Sequence, residues 1–362
     1  MIIGVTGTKA SGKGNIVRAL AGQGFRTFSF GDICRKKAAN MFGEVYSASQ
    51  LQDAGDKLRE EGGSGALAKI MLEQPGILNS NWVIDGIRNP GEIEVLRKLS
   101  DFYLVATDAP RPKRFERLKA RRRSGDPQDY QGFIELDQRD LRDDRNPNGQ
   151  QVADCIFNAD YHFNADFPTQ EQAVDEFISG KSGLMNLIKT KNPRRPSFDE
   201  LFMREAYEIA RRSTCLRRRV GAVIALGNRS IAAGYNAPPM GFKHCEEVGC
   251  VREREHVPSG ERAELCRAIH AEENALLQLV RHGPSPVGGT LYTTTYPCTP
   301  CAKSALNALT PGEDMPTTRQ ARIVIWTPYT DQHAEKILGE QSTVKIQSYT
   351  GISPKVYPKF FG

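Results

Sequence analysis

Residues 268–277 read AIHAEENALL, and residues 297–301 read PCTPC. The tail of the first stretch, from Asn274, is an ordinary apolar helical face. Its head sets His270 and Glu272 two positions apart. Residues two apart on a helix do not share a face, so the pair serves two partners rather than one. Cys298 and Cys301 stand three apart at the start of another helical run, where both thiols face one point. A helix start also favours thiolate over thiol.

One imidazole and two thiolates suit zinc with a fourth position left for water. His270, Cys298 and Cys301 are the expected ligands. Zinc lowers the pKa of such a water from ~15.7 towards ~7. Glu272 lies one step round the helix. There it takes the water's proton and passes it to a ring nitrogen and then to departing ammonia. A lone histidine at a helix start is usually a cap, and a lone Cys-x-x-Cys is often redox or structural. The two halves together, His-x-Glu then Pro-Cys-x-x-Cys, form the signature of the zinc deaminases.

The chain has 362 residues, 39% hydrophobic and 25% charged, enough for two folded domains. Its start, MIIGVTGTKASGKG, carries no basic segment before an apolar core. With no apolar run of bilayer length, no membrane is expected and the cytoplasm is the expected location. Eight cysteines in such a chain are not a disulfide framework. The formal charge is +6, with clusters at Arg121–Arg123 and Arg217–Arg219. Such clusters suit phosphate, on a mononucleotide or a nucleic acid. Taken alone they read as solvated helix faces.

Residues 1–180 alternate strand-like runs (IIGVTG, FRTFSF, WVIDGI, FYLVATD) with helical ones. That alternation predicts a parallel sheet wrapped by helices. Residues 181–197, rich in Gly, Lys, Ser and Pro, read as a linker. From Phe198 to Gly362 the order is helix, two strands joined by the turn GNR, an irregular segment, then alternating helices and strands. The fold class is therefore α/β in both halves.

In the first half, Gly7, Thr8, Lys9, Ala10, Ser11, Gly12, Lys13 and Gly14 follow a strand and open a helix. A phosphate-binding P-loop needs that context: backbone N–H groups cradle phosphate and Lys13 adds charge. ATP or another nucleotide is the expected ligand. Gly14 stands where a Ser or Thr hydroxyl would hold Mg2+, which points to binding without efficient phosphoryl transfer.

Residues 198–362 resemble the deoxycytidylate deaminases through ARRSTCLRRRVGAVIA, GYNAPP, HCEEVGC, ELCRAIHAEENALLQ and LYTTTYPCTPCAKSAL. The resemblance implies a three-layer α/β/α cytidine-deaminase-like domain. It assigns zinc to His270, Cys298 and Cys301 and the proton shuttle to Glu272. It sets Asn236 against the sugar hydroxyl and the backbone of Ala271 along the base pocket. The first half resembles nucleoside monophosphate kinases, with Asp32 and Arg35, Asp85 and Arg88, and the run ERLKARRR. The fusion resembles the bacterial antiphage deoxycytidine nucleotide deaminases. That implies dCMP or dCTP as substrate, a regulatory nucleotide at the first half, an inhibitory small RNA and a homo-oligomer.

His244, Cys245, Cys250 and Cys266 offer a second, structural zinc site pinning the irregular segment, with His256 the rival to His244. The plainer reading is three buried thiols. Two further functions stay open on sequence. One is a polynucleotide cytosine deaminase, allowed by the arginine clusters but opposed by the HCEEVGC insertion. The other is a nucleotide-binding regulator whose deaminase half is only a scaffold, opposed by the intact Glu272.

Overall fold

The computed structural model describes residues 1–123, 125–141, 146–165, 170–180, 183–190, 195–257, 262–312, 317–328 and 332–356. They fall into two compact units, within Met1–Arg194 and within Arg195–Tyr357. Of the stretch read as a linker, 181–182 and 191–194 lie outside the described residues. Leu184–Thr190 is a helix packed against the helix Gln170–Ser179. Its Leu184, Met185, Leu187 and Ile188 are buried, so an apolar run inside a polar stretch joins the first unit. No helix among the described residues is long and apolar enough to cross a membrane.

The first unit holds strands β1 (Ile2–Gly7), β2 (Arg26–Ser29), β3 (Trp82–Ile87), β4 (Phe102–Asp108) and β5 (Tyr161–Asn164). They run parallel in the order β5-β4-β1-β3-β2. Central β1 is buried along its whole length, as a parallel strand covered on both faces must be. One face packs Ile84, Leu104 and Ala106 against Leu67, Met71, Ile93, Leu96 and Ile156 from helices. At Gly7 (φ 142) an added Cβ would lie 2.1 Å from the Thr107 carbonyl oxygen, so only glycine fits. The chain then turns through Ala10 (φ 61) and Gly12 (φ 91) into the helix Lys13–Gly22.

The second unit holds β6 (Gly221–Leu226), β7 (Arg229–Tyr235), β8 (Thr290–Thr293), β9 (Ala321–Ile325) and β10 (Val344–Ser348). Their order is β10-β9-β8-β6-β7. β6 is antiparallel to β7 and β8, while β8, β9 and β10 run parallel. Two glycines show how closely helices sit on the hairpin β6–β7. A Cβ on Gly221 would lie 2.0 Å from the Ala206 carbonyl of the helix Phe198–Ala210. One on Gly234 would lie 2.3 Å from the Ala271 carbonyl of the helix Ala271–His282. Gly234 pairs with Ala222, and neighbours along a strand face opposite ways, so these helices lie on opposite faces. The helices Thr299–Leu309 and Gln332–Glu340 share the face of Ala271–His282, where Ala275, Leu279, Ala302, Leu309, Ala334 and Leu338 cover Ile224, Leu291, Ile323 and Val344. Helix, sheet and helices make three layers.

Candidate active site

His270 and Cys298 occupy equivalent places in the second unit. Each is the extended residue directly before a helix: His270 (φ −72, ψ 158) before Ala271–His282, and Cys298 (φ −71, ψ 168) before Thr299–Leu309. Neither side chain caps its helix, and both turn towards one point. His270 Nδ1 is 3.0 Å from Cys298 Sγ and 3.6 Å from Cys301 Sγ. The three ligand atoms lie within 4.8 Å of one another. Tetrahedral zinc, with Zn–S about 2.3 Å and Zn–N about 2.0 Å, spaces its ligand atoms by roughly 3.5–3.8 Å. The His270–Cys301 separation matches that spacing, and the His270–Cys298 separation is about 0.5 Å short of it.

Cys298 is drawn down to about 5, chiefly by its hydrogen bond with Cys301, against the cost of burial and with help from His270. Cys301 is raised far above the thiol range by Cys298 beside it and by burial. His270 is pushed up to about 11 by hydrogen bonds to Cys266 and Cys298.

Glu272 stands in the first turn of its helix and is 3% exposed. Burial raises its pKa; its own backbone N–H, His270 and Thr293 pull the other way. Thr293 Oγ1 donates to Glu272 Oε1 at 3.0 Å. Asn274 Nδ2 donates to the Tyr235 carbonyl at 2.9 Å, tying the same turn to the end of β7. Ala271 is fully buried.

Asn236 follows β7, and its amide already serves the backbone. Nδ2 donates to the Arg218 carbonyl (2.9 Å), and Oδ1 accepts from Val220 N (2.8 Å). One N–H and one lone pair remain for a ligand. Of the three arginines before Val220, Arg218 donates to Thr295 Oγ1 at 2.9 Å, Arg219 lies 3.8 Å from Glu246, and Arg217 Nη1 is buried without a hydrogen-bond partner.

The cysteines expected at a second zinc sit near one another. Burial, then Cys215, Cys266 and Cys250, raises the Cys245 thiol. Cys266 is held below the thiol range: against its burial stand hydrogen bonds with His270 and the backbone of Ala268. His244 Nδ1 is 2.8 Å from Thr214 Oγ1, and His256 is exposed. Among the described residues, no second group of three His, Cys, Asp or Glu ligand atoms closes to 4.8 Å.

In the first unit, Lys13 Nζ donates to the carbonyls of Gly7 (2.9 Å) and Thr8 (2.6 Å). Thr8 donates to Asp108, Ser11 meets Thr107, and Arg114 donates to the Lys9 carbonyl. Burial, with Arg88 second, lowers Lys13 to about 7. Lys9 is lowered too, chiefly by burial. Gly14 is exposed in the first helical turn. Arg88 binds Asp140 (3.0 Å) and Gln150 (2.8 Å), and Asp85 Oδ1 is buried without a hydrogen-bond partner. Asp32 pairs with Arg35, and Arg121 with Asp126 (2.7 Å).

The model of the cytidine and deoxycytidylate deaminase zinc-binding region matches residues 196–311. The deoxycytidylate deaminase of Schizosaccharomyces pombe is 30% identical over 312 residues, spanning 83% of this chain and 85% of that protein. The chain belongs to the deoxycytidylate deaminase family. It is a hydrolytic deaminase, and its first unit is similar to another group of proteins. A UPF0200 protein of Thermococcus onnurineus is 34% identical over 186 residues, 49% of this chain and 96% of that protein. The structure of dCMP deaminase from the cyanophage S-TIM5 in apo form is 22% identical, covers 43% of this chain and all of its own, and has a TM-score of 0.32.

For a deoxycytidylate deaminase, sequence reasoning passed over two groups beside the site. Cys215 is near enough to act electrostatically on Cys245, and Thr293 holds Glu272. The threonine run TTTY drew attention only as a strand; which hydroxyl faces the glutamate depends on register. Cys215 stands far from the other cysteines in sequence, and the loops of the unit bring it back.

Proposed function

We propose that this chain hydrolyses the exocyclic amine of deoxycytidine nucleotides, dCMP or dCTP, at a zinc ion held by His270, Cys298 and Cys301. The observation that carries the reading is the convergence of three zinc-type ligand atoms within 4.8 Å, with buried Glu272 on the adjoining helical turn. When bound, the ion supplies Lewis acidity that makes water nucleophilic at neutral pH. Glu272 carries the proton from the attacking water to the ring nitrogen and then to the leaving ammonia. The remaining N–H and lone pair of Asn236 meet the sugar hydroxyl, and the buried backbone at Ala271 lines the base. Arg218, tied to Asn236 by its carbonyl and to Thr295 by its guanidinium, is the arginine best placed for substrate phosphate. The alternation of strands and helices in the first unit and the loop Gly7–Gly14 support a nucleotide-binding regulatory role for that unit. The antiphage reading, with its small RNA and oligomer, rests on the sequence resemblance alone. Cys245, Cys250 and Cys266, joined by Cys215, remain the proposed place for a structural zinc.

The test is ammonia release from CMP, dCMP, CTP, dCTP and single-stranded DNA, with Glu272→Ala as control. Release from dCMP or dCTP that Glu272→Ala abolishes supports the reading. Release from single-stranded DNA alone refutes it.

A further inference from the structure

Across the second sheet, Gly234 of β7, Ala222 of β6 and Thr293 of β8 form one row: Ala222 pairs with Gly234 on one side and with Thr293 on the other. All three therefore point to the face covered by the helix Ala271–His282. The row is made of small residues, and the helix backbone comes down almost onto it, within 2.3 Å of where a Gly234 Cβ would be. Only with so thin a layer can the short threonine side chain reach Glu272, in the helix's first turn, at 3.0 Å. Thr293 is fully buried, as its neighbours Leu291 and Tyr292 nearly are, so it works from a rigid strand. Its Oγ1 also lies 2.9 Å from the Thr295 carbonyl oxygen, three residues before Cys298, so its single proton is shared between that oxygen and Glu272. One hydroxyl thus joins the turn bearing His270 and Glu272 to the loop leading to the two cysteines.

We infer that Thr293 is a positioning residue for deamination: its hydroxyl fixes one carboxylate oxygen of Glu272 in the orientation that proton transfer needs. This rests on the reading of Glu272 as the proton carrier. A glutamate has three side-chain torsions, and a carboxylate without a fixed partner samples several orientations. A hydrogen bond to a charged group is worth enough to change a rate by about ten- to a hundredfold. Thr293 touches no reacting atom, so its loss falls on kcat rather than on substrate binding.

The experiment compares Thr293→Val, nearly isosteric and without the hydroxyl, with Thr293→Ser, which keeps it. The expected result for Val is zinc content and melting temperature near wild type, KM for dCMP little changed, and kcat lower by about ten- to a hundredfold. Ser restores most of kcat. If Val disturbs folding, Thr293→Ala against Thr293→Ser carries the same comparison of hydroxyl absent and present. A hydroxyl-free variant that is folded and zinc-loaded with wild-type kcat overturns the inference. So does a Ser variant no better than Ala, or a loss confined to KM. Glu272→Ala separates the two readings. If it deaminates normally, the role of Glu272 fails and takes this inference with it. If it is inactive while Thr293→Val is normal, only the role of Thr293 fails.

Discussion

Substituting Gly234 by alanine should cost turnover as well as stability. The new Cβ would lie 2.3 Å from the Ala271 carbonyl oxygen and 2.5 Å from Ala275 N. Both are backbone atoms of the helix carrying Glu272, so no rotamer change relieves the clash. Non-bonded contacts settle near ~3.5 Å, so the start of that helix must lift by about 1 Å. The Thr293–Glu272 bond of 3.0 Å would then stretch past hydrogen-bonding range. Overpacking of this kind costs about 1–3 kcal/mol of stability. A misplacement of about 1 Å in a catalytic group costs on the order of 10²-fold in rate. The assay is kcat/KM for dCMP by ammonia release, with melting temperature and zinc content measured beside it. Gly339→Ala is the control, because no atom lies within 4 Å of its Cβ position. A folded Gly234→Ala protein with unchanged kcat/KM would refute the claim that the closeness of helix to sheet sets the geometry of the site.

Glu272→Ala should keep its zinc and lose about 10²–10⁴-fold in turnover; zinc-loaded protein with wild-type deamination would refute the role. Cys298→Ala should carry one zinc fewer per chain than wild type by metal analysis. A wild type holding a single zinc removes the second site, while a second zinc lost in Cys250→Ala with some activity kept makes it structural. Lys13 titrates near 7 in the free protein, and a bound phosphate raises that value. Nucleotide affinity at the first unit should therefore be full below pH 7. Above it, affinity should fall by up to about tenfold per pH unit as binding comes to require proton uptake. Calorimetry at about pH 6 and pH 9 checks this, and an affinity that is flat with pH and unaltered in Lys13→Ala counts against the loop.

The strands of both sheets were largely legible because burial writes itself into composition. IIGVTG can only be a strand buried on both faces, and VGAVIAL-GNR-SIAAGYN announces a hairpin. The strand Tyr161–Asn164 was missed, because YHFN has neither the length nor the apolar continuity that marked the others. The run TLYTTTY was read as strand throughout, yet β8 ends at Thr293. The next two residues leave the ladder to carry the chain towards Cys298. Donor types and spacing pointed to His270, Cys298 and Cys301 before any coordinates. What pattern could not supply were contacts made across strands. Thr293 reaches Glu272 only through the registers of β6, β7 and β8, and Cys215 reaches Cys245 only through the return of the irregular segment.

The hairpin β6–β7 has one more consequence. Gly221 meets the backbone of Phe198–Ala210 on one side, and Gly234 meets that of Ala271–His282 on the other. At this point the middle layer is a shim whose thickness is set by main chain alone. Close-packed interiors transmit strain, and here there is no soft cushion of rotamers to dissipate it. A shift of the outer helix therefore presses through main chain on the layer beneath the turn bearing His270 and Glu272. That outer helix begins at Phe198, the first element the chain builds after the seam. Its packing on Gly221 therefore helps set the height of the layer on which the catalytic turn rests.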